Sequence, residues 1–383
     1  MKIAIVTPTF PPYAGGIGNV AAYNARELVN LSHEVVVFTP WYEPVTEELK
    51  DIKIERIKPV ITYGNAALTP GFGRLLLDFD IIHLHYPYFG GAEMIWLNYS
   101  KFKKRKIKIV LHYHMDVVGE GLLKAIFTTH TKVILPWIVA IADKVIFTSL
   151  DYGQNSNLAR FVGKNSDKFI EVPNGVDTLN FKPTAKDQSL LEKYNIEPDT
   201  RIVVFVGGLD KAHYFKGIEY LIEAMSRLKE ADYNWRLIIV GDGDLRQHYV
   251  DFSGQLNIDY KTIFAGYVPN EDLPKYYNLA DVVVLPSVDK SEAFGLALVE
   301  GMACGKAVVA SNLAGVRSVV EDGVNGFLTE PKNADDLASK INYLLTNPAV
   351  ASGFGFRGRE KAEQQYDWKI IGKQLEKIYK GLS

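Results

Sequence analysis

The feature that most limits the fold of this chain is a series of short apolar runs without polar alternation. Each run is four to seven residues long and rich in valine and isoleucine. The runs are KIAIV, EVVVFT, IIHLH, IKIVLHY and KVIFTS in the first half, then RIVVFVG, WRLIIVG, TIFAG, DVVVLP and KAVVAS in the second. Because most of them lack polar alternation, both faces of each strand should be buried, as in a parallel sheet.

Helical stretches separate the runs, so the pattern predicts βαβ units and an α/β fold. The length of 383 residues agrees with two domains. The segment 172–189 is rich in Pro, Asn, Gly and Asp, and the boundary should fall there. We therefore expect a first domain at 1–180, a second at 181–365 and a separate helix at 366–383.

Composition excludes several classes of protein. The net charge of −2 gives no reason to expect a nucleic-acid partner. The single cysteine, Cys304, allows neither a disulfide framework nor a Cys/His zinc site. The first residues do not form a signal peptide, and the longest apolar stretch is too short for a bilayer. The expected location is cytoplasmic, with peripheral attachment to the inner face of the membrane left open.

In each half, a glycine-containing loop follows the first strand. Gly16, Gly18 and Ala21 match a dinucleotide fingerprint poorly, because about nine residues precede Gly16 and the second strand ends without an acid. The loop either brings backbone N–H groups to an anion or forms a plain turn. In the second half, Lys211, His213 and Lys216 crowd a loop after RIVVFVG. These side chains suit a diphosphate, and a solvated loop is the alternative.

The stretch SEAFGLALVEGMACG, from Ser291 to Gly305, carries two acids eight positions apart. Glu292 should precede a helix, and Glu300 should lie within it, roughly two turns further on. This spacing suits an extended ligand, with Glu292 at a sugar-like group and Glu300 at a pair of hydroxyls such as a ribose. The N–H groups of Phe294, Gly295 and Leu296 would accommodate a phosphate between them. The alternative is an exposed helix with incidental acids.

At this point the sequence resembles the retaining glycosyltransferases of family four (glycosyl transferases group 1), which have the GT-B fold. The resemblance rests on the two acids in SEAFGLALVEGMACGKAVVAS, on VPNGVD, VGDG, GYV and AGVRSVVEDGVNGFL, and on the Gly15–Gly16 pair. It implies two Rossmann-like parallel-sheet domains facing an interdomain cleft, with the C-terminal helix crossing back to the first domain. It also implies a retaining, metal-independent transfer of a hexose-type sugar from a UDP- or GDP-linked donor to a hydroxyl of a glycan or lipid-linked acceptor.

The resemblance assigns roles to individual residues. Its catalytic positions fall on Glu292, His114 and Lys216. Its donor-binding positions fall on Gly15, Gly16, Gly208, Lys211, Lys216, Gly241, Val268, Phe294, Gly295, Leu296 and Glu300. On the acceptor side, its histidine position falls on His114 with Asp116, and we also expect Tyr13 and His85 there. It implies no metal and no cofactor beyond the nucleotide-sugar substrate.

The sequence departs from the family at Gly208, where the family usually has arginine. We expect Lys211 to supply the missing charge, with His213 as the other candidate. The acceptor side also leaves alternatives open. His112 and His114 should share one face of a strand, and either could be a satisfied core histidine. Aromatic residues in HLHYPYFGGAE either stack on sugar rings or simply pack.

The run KFKKRKIK, Lys101–Lys108, is strongly basic. It should end a helix and face solvent, and it could also bind an anionic membrane surface. Two other functions remain open. A nucleotide-sugar epimerase would bind the same donor without an acceptor, and a non-catalytic protein would only bind the nucleotide sugar.

Overall fold

The computed structural model describes residues 1–13, 15–42, 49, 51–63, 66–117, 125, 127–163 and 166–382. The chain divides into two compact units, one formed by Met1–Asn174 with Trp368–Ser383 and the other by Gly175–Asp367. The residues just before 180 lie in the second unit, because Val176 forms a bridge with Asp367 and Phe181 belongs to the core of that unit.

Within the described residues, the first unit contains a seven-stranded sheet of order β3-β2-β1-β6-β7-β8-β9, and each neighbouring pair is parallel. Its strands are β1 (Lys2–Val6), β2 (Glu34–Pro40), β3 (Lys53–Ile57), β6 (Ile81–Tyr86), β7 (Lys108–Tyr113), β8 (Lys144–Phe147) and β9 (Phe169–Glu171). A separate antiparallel pair joins β4 (Ile61–Tyr63) and β5 (Ala66–Leu68).

The helices of the first unit are Gly16–Asn30, Phe72–Leu75, Gly91–Lys104, Leu135–Ile141, Leu150–Asn155, Ala159–Val162 and Trp368–Lys380, with a π-helical turn at His130–Ile134 and a 3-10 turn at Ser166–Lys168. The C-terminal helix packs on the first helix. The rings of Tyr23 and Trp368 stack at 4.8 Å. A Cβ at Gly372 would lie 2.6 Å from the Cβ of Glu27, so glycine permits this close approach. The chain thus returns to the first unit at its end, as the resemblance implies.

The second unit contains, among its described residues, a six-stranded parallel sheet of order β12-β11-β10-β13-β14-β15. Its strands are β10 (Arg201–Val206), β11 (Trp235–Val240), β12 (Thr262–Gly266), β13 (Val282–Leu285), β14 (Ala307–Ser311) and β15 (Gly326–Thr329). Its helices are Gln188–Lys193, Ile218–Ser226, Arg246–Gln255, Leu273–Leu279, Leu296–Ala303, Val316–Val319, Ala334–Thr346 and Pro348–Lys361, with 3-10 turns at Lys211–Lys216 and Asp259–Lys261 and a π-helical turn at Ala362–Tyr366.

All ten apolar runs form strands, which confirms the expectation of two buried parallel sheets. The interior strands are buried along almost their whole length, because helices cover both faces of such sheets. The runs did not include β3, β9 or β15, which lie at sheet edges. An edge strand needs less apolar surface, and β3 (KIERI) is polar at three of five positions and only partly buried.

The strand order reverses direction at one place in each sheet. In the first sheet this place lies between β1 and β6, and in the second between β10 and β13. Ligands of open α/β sheets bind outside the carboxyl ends of the strands at such a switch point. In the second unit, a ligand site is therefore expected at the loops after β10 and β13. In the first unit, it is expected at the carboxyl ends of β1, β6 and β7.

Candidate functional site

A buried ion pair joins the loops after β10 and β13. Nζ of Lys216 lies 2.6 Å from Oε2 of Glu292, and their side chains are only 16% and 8% exposed. Oγ of Ser287 donates a second hydrogen bond to the same carboxylate oxygen, at 3.1 Å. Gly217 lets the two loops meet, since its φ is +68° and a Cβ there would overlap the carbonyl oxygen of Pro286. Two sequence-predicted residues from distant motifs thus form one charged cluster.

Glu300 belongs to the same electrostatic environment. It lies in the helix Leu296–Ala303, where its carboxylate accepts a 2.6 Å hydrogen bond from the hydroxyl of Tyr277. Burial raises the pKa of Glu300 to about 7, although the Tyr277 hydrogen bond and the Lys216 ammonium both act to lower it. Lys216 therefore interacts with both acids of the Ser291–Gly305 stretch. Tyr277 is fully buried and was not identified from the sequence.

The backbone between the two acids starts a helix. Gly295 adopts a φ of +92° directly before Leu296, the first residue of that helix. Within the described chain, no side chain caps this end. Phe294 is buried and packs edge-on against Tyr366, with ring centroids 5.8 Å apart. Backbone amides at such an uncapped helix start suit an anion, as the sequence predicted.

The surroundings of Gly208 differ from the sequence-based expectation. A Cβ at Gly208 would lie 2.7 Å from Nδ1 of His213, which forms a 2.8 Å hydrogen bond with Asp210. Lys211 instead extends toward Asp244, with 3.8 Å between Nζ and Oδ2, and its side chain is 80% exposed. The contacts thus place His213, and not Lys211, next to the position that holds arginine in the family.

Two further donor-binding candidates lie at the carboxyl ends of neighbouring strands. Gly241 follows β11 with a φ of +142°, and a Cβ there would overlap the carbonyl oxygen of Gly207. The loop after β11 therefore packs directly against the loop after β10. Val268 follows β12 and is partly buried against the core of the second unit. Both residues lie near the carboxyl ends of the strands, where the resemblance places the nucleotide pocket.

In the first unit, the loop after β1 leads into the helix Gly16–Asn30. A Cβ at Gly15 would lie 3.1 Å from Oγ1 of Thr9, whereas a Cβ at Gly16 would meet no described atom within 4 Å. The loop residue Tyr13 is 41% exposed, and its ring lies 5.4 Å from the ring of Tyr42. The assignment of these glycines to a donor phosphate and of Tyr13 to an acceptor stays a prediction.

Four buried histidines lie side by side, two on β6, one on β7 and one, His114, directly after β7. They form two hydrogen-bonded pairs, His83 Nε2 with His112 Nδ1 at 3.2 Å and His85 Nδ1 with His114 Nε2 at 2.8 Å. One pair stacks on the other, with centroid distances of 4.5 Å for His83–His85 and 4.1 Å for His112–His114. Burial lowers the pKa of His83 and of His114 to about 3, and the imidazole of His114 adds to the shift of His83. All four rings are therefore neutral near pH 7, because burial also lowers the pKa of His85 and His112.

The histidine cluster reaches the C-terminal helix and has the outline of a metal site. The hydroxyl of Tyr379 lies 2.7 Å from Nδ1 of His83. Ligand nitrogens of His83, His85 and His112 lie within 4.8 Å of one another, so the three rings could hold a metal ion. None of the three ligands is anionic, and ring-to-ring hydrogen bonds already use several of these nitrogens. We therefore describe the group as a hydrogen-bonded cluster.

Asp116 does not have the exposure expected of an acceptor-binding residue. Its side chain is fully buried. Oδ1 accepts a 2.6 Å hydrogen bond from the hydroxyl of Tyr113, and both carboxylate oxygens accept from the backbone N–H of Asn157. These bonds tie the loop after β7 to the segment before the helix Ala159–Val162. The contacts give Asp116 a structural role, in contrast to the sequence-based expectation.

Comparisons with known proteins agree with this geometry. Residues 186–361 match the family model for glycosyl transferases group 1, and residues 14–179 match the model for glycosyltransferase family 4. An uncharacterised glycosyltransferase of Methanocaldococcus jannaschii is 30% identical over 99% of this chain and 98% of its own length. The chain belongs to the glycosyl transferases group 1 family.

Other relatives of this glycosyltransferase extend along its full length. The phosphatidyl-myo-inositol mannosyltransferase of Mycolicibacterium smegmatis is 28% identical over 100% of this chain and 94% of its own. Among solved structures, HepE of Anabaena in complex with UDP has a TM-score of 0.80, with 22% identity and complete coverage of both chains. The latter likeness shows the GT-B fold that the sequence predicted.

A basic and aromatic surface lies on the first unit of the glycosyltransferase. The run Lys101–Lys108 ends the helix Gly91–Lys104, and most of its cationic side chains are exposed, as the sequence predicted. On the same helix Leu97 is 59% exposed, and the ring of Trp96 stacks at 4.8 Å on Trp137, which is 43% exposed. We call these residues the basic–aromatic surface. In the described part of the chain, no helix has the length and apolarity needed to cross a bilayer.

Proposed function

We propose that this glycosyltransferase moves a hexose-type sugar from a UDP- or GDP-linked donor to a hydroxyl of a glycan or lipid-linked acceptor. The transfer retains the anomeric configuration and needs no metal ion. One observation carries the proposal, namely the cluster of Lys216, Glu292 and Glu300 at the switch point of the second sheet. It supplies one cation and two carboxylates where ligands of this type of sheet bind.

Each residue of the cluster has a chemical task in this proposal. As the donor's glycosidic bond breaks, positive charge develops on the sugar and negative charge on the leaving diphosphate. Lys216 and the amides at Gly295–Leu296 stabilise the diphosphate without reorganising, since buried electrostatic groups act strongly. Glu292 orients the sugar, and Glu300 accepts hydrogen bonds from two ribose hydroxyls. Gly241 and Val268 border the nucleotide base.

In the first unit, His114 is the proposed catalytic residue, and Gly15 and Gly16 are the proposed phosphate-facing glycines. The acceptor hydroxyl attacks from the side that the diphosphate leaves and gives its proton to the departing diphosphate oxygen. This keeps the anomeric configuration without a covalent enzyme intermediate. Two comparisons support the substrate classes. HepE is described in complex with UDP, and the mycobacterial relative is named for a phosphatidylinositol acceptor. A nucleotide donor and a lipid-linked acceptor are therefore the first substrates to examine.

A donor panel tests the proposal. Thermal shifts are measured with UDP- and GDP-linked hexoses, because a ligand that binds only the native state raises its apparent stability. The stabilising donor is then incubated with and without glycan and lipid-linked acceptors, and the products are separated by mass spectrometry. Acceptor-dependent transfer supports the proposal. A changed sugar without acceptor would indicate an epimerase, and binding without any reaction would indicate a non-catalytic protein.

Transfer should survive treatment with EDTA, because Lys216 and the helix start carry the diphosphate charge. Two Asp-x-Asp triplets, whose carboxylates could hold a metal ion, occur at Asp78–Asp80 and Asp242–Asp244. The second follows β11 in the donor-binding region. Its last carboxylate accepts a 2.9 Å hydrogen bond from the N–H of Lys211. The rate is compared before and after chelation. Loss of transfer that magnesium or manganese restores would contradict metal independence and point to the second triplet.

The contacts at Gly208 lead to a prediction about three variants. Lys216→Ala should lower turnover the most, because its ammonium is buried within the cluster. His213→Ala should lower turnover about tenfold, equivalent to about 1.4 kcal/mol of transition-state stabilisation, because its ring occupies the arginine position. Lys211→Ala should have a smaller effect, since it is exposed and pairs with Asp244. Steady-state kinetics with one donor rank the variants, and a larger loss for Lys211→Ala would restore the sequence-based assignment.

Donor affinity should increase as the pH rises through 7, because the ribose hydroxyls bind the ionised form of Glu300. Ligand binding would favour the carboxylate and lower its pKa from about 7. Calorimetry with an intact nucleotide sugar, whose diphosphate does not titrate in this range, measures the dissociation constant from pH 6 to 8. Glu300→Gln should weaken binding by roughly 1–3 kcal/mol and abolish the pH dependence. Equal affinity and an unchanged pH profile would remove Glu300 from the ribose site.

The basic–aromatic surface is the proposed contact with an anionic membrane. Lysines attract acidic headgroups, while exposed Trp and Leu side chains enter the interface. Flotation is measured with phosphatidylcholine vesicles with or without phosphatidylglycerol. Binding should require the anionic lipid and should fall in a variant carrying Lys101→Gln, Lys103→Gln and Lys104→Gln. Lys275→Gln, an exposed site of the second unit, serves as the control. Equal flotation of both vesicle types, or none, would contradict the proposal.

A further inference from the structure

The pair formed by His85 and His114 places a constraint on where each ring carries its proton. Nδ1 of His85 and Nε2 of His114 lie 2.8 Å apart, and both side chains are buried. A hydrogen bond between two neutral imidazoles needs one N–H and one lone pair. If His85 carries its proton on Nδ1, then Nε2 of His114 must be the acceptor, and His114 must carry its own proton on Nδ1. The two tautomers are therefore coupled.

The other nitrogen of His85 decides between the two arrangements. Nε2 of His85 is buried and has no hydrogen-bond partner among the described residues. If Nε2 of His114 donates to Nδ1 of His85, then Nε2 of His85 is an unpaired N–H. If Nδ1 of His85 donates instead, then Nε2 of His85 is an unpaired lone pair. Buried N–H groups without an acceptor are the rarer of the two defects in folded proteins. The geometry thus favours His85 with its proton on Nδ1, donating to His114.

The remaining rings of the cluster hold this pair in place. His112 stacks on His114 with an interplanar angle of 17°, and His83 stacks on His85 with an angle of 30°. His83 is itself fixed by the hydroxyl of Tyr379 and by its bond to His112. A stacked and buried ring cannot flip to exchange its two nitrogens without breaking these contacts. Nδ1 of His114 makes no hydrogen bond to another described residue, so its proton is available to a substrate.

We propose that His85 is a positioning residue that holds His114 as the neutral Nδ1–H tautomer, so that His114 meets its substrate as a hydrogen-bond donor to a sugar oxygen. The role toward a sugar rests on the proposed function, whereas the tautomer does not. In this role His114 neither gains nor loses a proton during transfer. It offers a fixed N–H donor to a sugar hydroxyl and so holds the donor sugar in the geometry for transfer.

Nitrogen NMR on protein labelled with ¹⁵N-histidine tests the tautomer directly. Long-range ¹H–¹⁵N correlations distinguish a protonated from an unprotonated ring nitrogen, and single-histidine variants assign the signals. We expect His114 to show a protonated Nδ1 and an unprotonated Nε2. The opposite pattern would overturn the inference. This measurement needs no substrate, so it can fail while sugar transfer is observed, or succeed while transfer is absent.

Matched variants test the positioning role. His85→Leu removes the hydrogen bond and should lower kcat tenfold or more with little change in KM for the donor. His85→Asn places an amide near the former Nδ1 and should restore most of the rate. For the same reason His114→Asn should retain more activity than His114→Gln. The exposed His248, changed to Asn, is the control, since it lies on the surface of the second unit, where it pairs with Glu219.

Equal losses in the leucine and asparagine variants of His85 would show a packing role only and would overturn the inference. Thermal unfolding is measured for each variant, so that a loss of folded protein is not read as a loss of positioning. Should His85→Leu fail to fold, the comparison of His114→Asn with His114→Gln decides. Greater activity in the glutamine variant would place the working nitrogen at Nε2 and contradict the assigned tautomer.

Discussion

Lys216→Met should lower turnover about a hundredfold or more, because removal of a preorganised charge-stabilising group from an active site has an effect of this size. The ammonium is the cation of the cluster at the switch point, and it lies 2.6 Å from Glu292 in a buried setting. Methionine keeps the length of the stem and removes the charge. Single-turnover kinetics at saturating donor measure the chemical step apart from donor binding.

Glu292→Gln provides the companion measurement. The change should lower turnover more than it weakens nucleotide binding, because Glu292 faces the sugar. Removing one partner of a buried ion pair also destabilises a protein by roughly 3–5 kcal/mol, so unfolding is followed for every variant. The double variant, in which both charges are absent, should recover part of the stability and none of the turnover. Lys275→Met is the surface control, and full activity in Lys216→Met would exclude this cluster from the chemistry.

Through His83 and His114 alone, lowering the pH from 7 to 4.5 should remove about 5 kcal/mol from the free energy of unfolding of the first unit. His85 and His112 should add to this loss, because burial lowers the pKa of both. The pKa of His83 and of His114 is about 3 in the folded protein, against an ordinary value of 6.5. Between these values the unfolded chain binds more protons than the folded chain. The stability is therefore complete above pH 6.5 and falls as the pH decreases toward 3.

Urea unfolding measured at several pH values tests this prediction. Four of the five tryptophans lie in the first unit, so a Trp235→Phe background confines the fluorescence signal to that unit. His83→Asn should reduce the proton uptake on unfolding by about one, since a group whose pKa differs between the two states is lost. His248→Gln, at an exposed position, is the control. An acid dependence that is the same in the His83 and His248 variants would contradict the neutral histidine cluster.

The interior strands of both sheets could be predicted from the sequence, because a strand that is buried on both faces consists almost entirely of apolar residues. Strands such as β1, β7, β10 and β13 appear as unbroken Val/Ile runs. The edge strands β3 and β9 lack such runs, since part of each strand is exposed to solvent. Residues 175–180 could not be assigned to a unit by composition. Their place depends on long-range contacts, such as the bridge between Val176 and Asp367.

The candidate site also has a part that could be predicted from the sequence and a part that could not. The positions of Lys216, Glu292 and Glu300 relative to their strands could be predicted, because loops at the carboxyl ends of parallel strands converge. Their partners could not. Tyr277 reaches Glu300 from the preceding helix, and nothing in its local sequence indicates that direction. Likewise Lys211 extends toward Asp244, because its exposed stem follows the nearest carboxylate.

The sequence indicated the histidine cluster in part, because it predicted that His112 and His114 share one face of a strand. HLH and HYH each place two histidines on one face at the end of a strand. Only the register of β6 and β7, which sets His85 opposite His112, brings the four rings together. Register depends on packing across the whole sheet and is not encoded in either motif. The link to Tyr379 spans 296 residues and was equally hidden.

The configuration of the first-formed product tests the central claim most directly. The donor that gives the largest thermal shift is incubated with its acceptor, and proton NMR follows the anomeric signal as the new glycosidic bond appears. Couplings and chemical shifts distinguish the two anomers of this bond. The product should have the same anomeric configuration as the donor, with EDTA present throughout. A product of opposite configuration, or a reaction that proceeds without an acceptor, would contradict it.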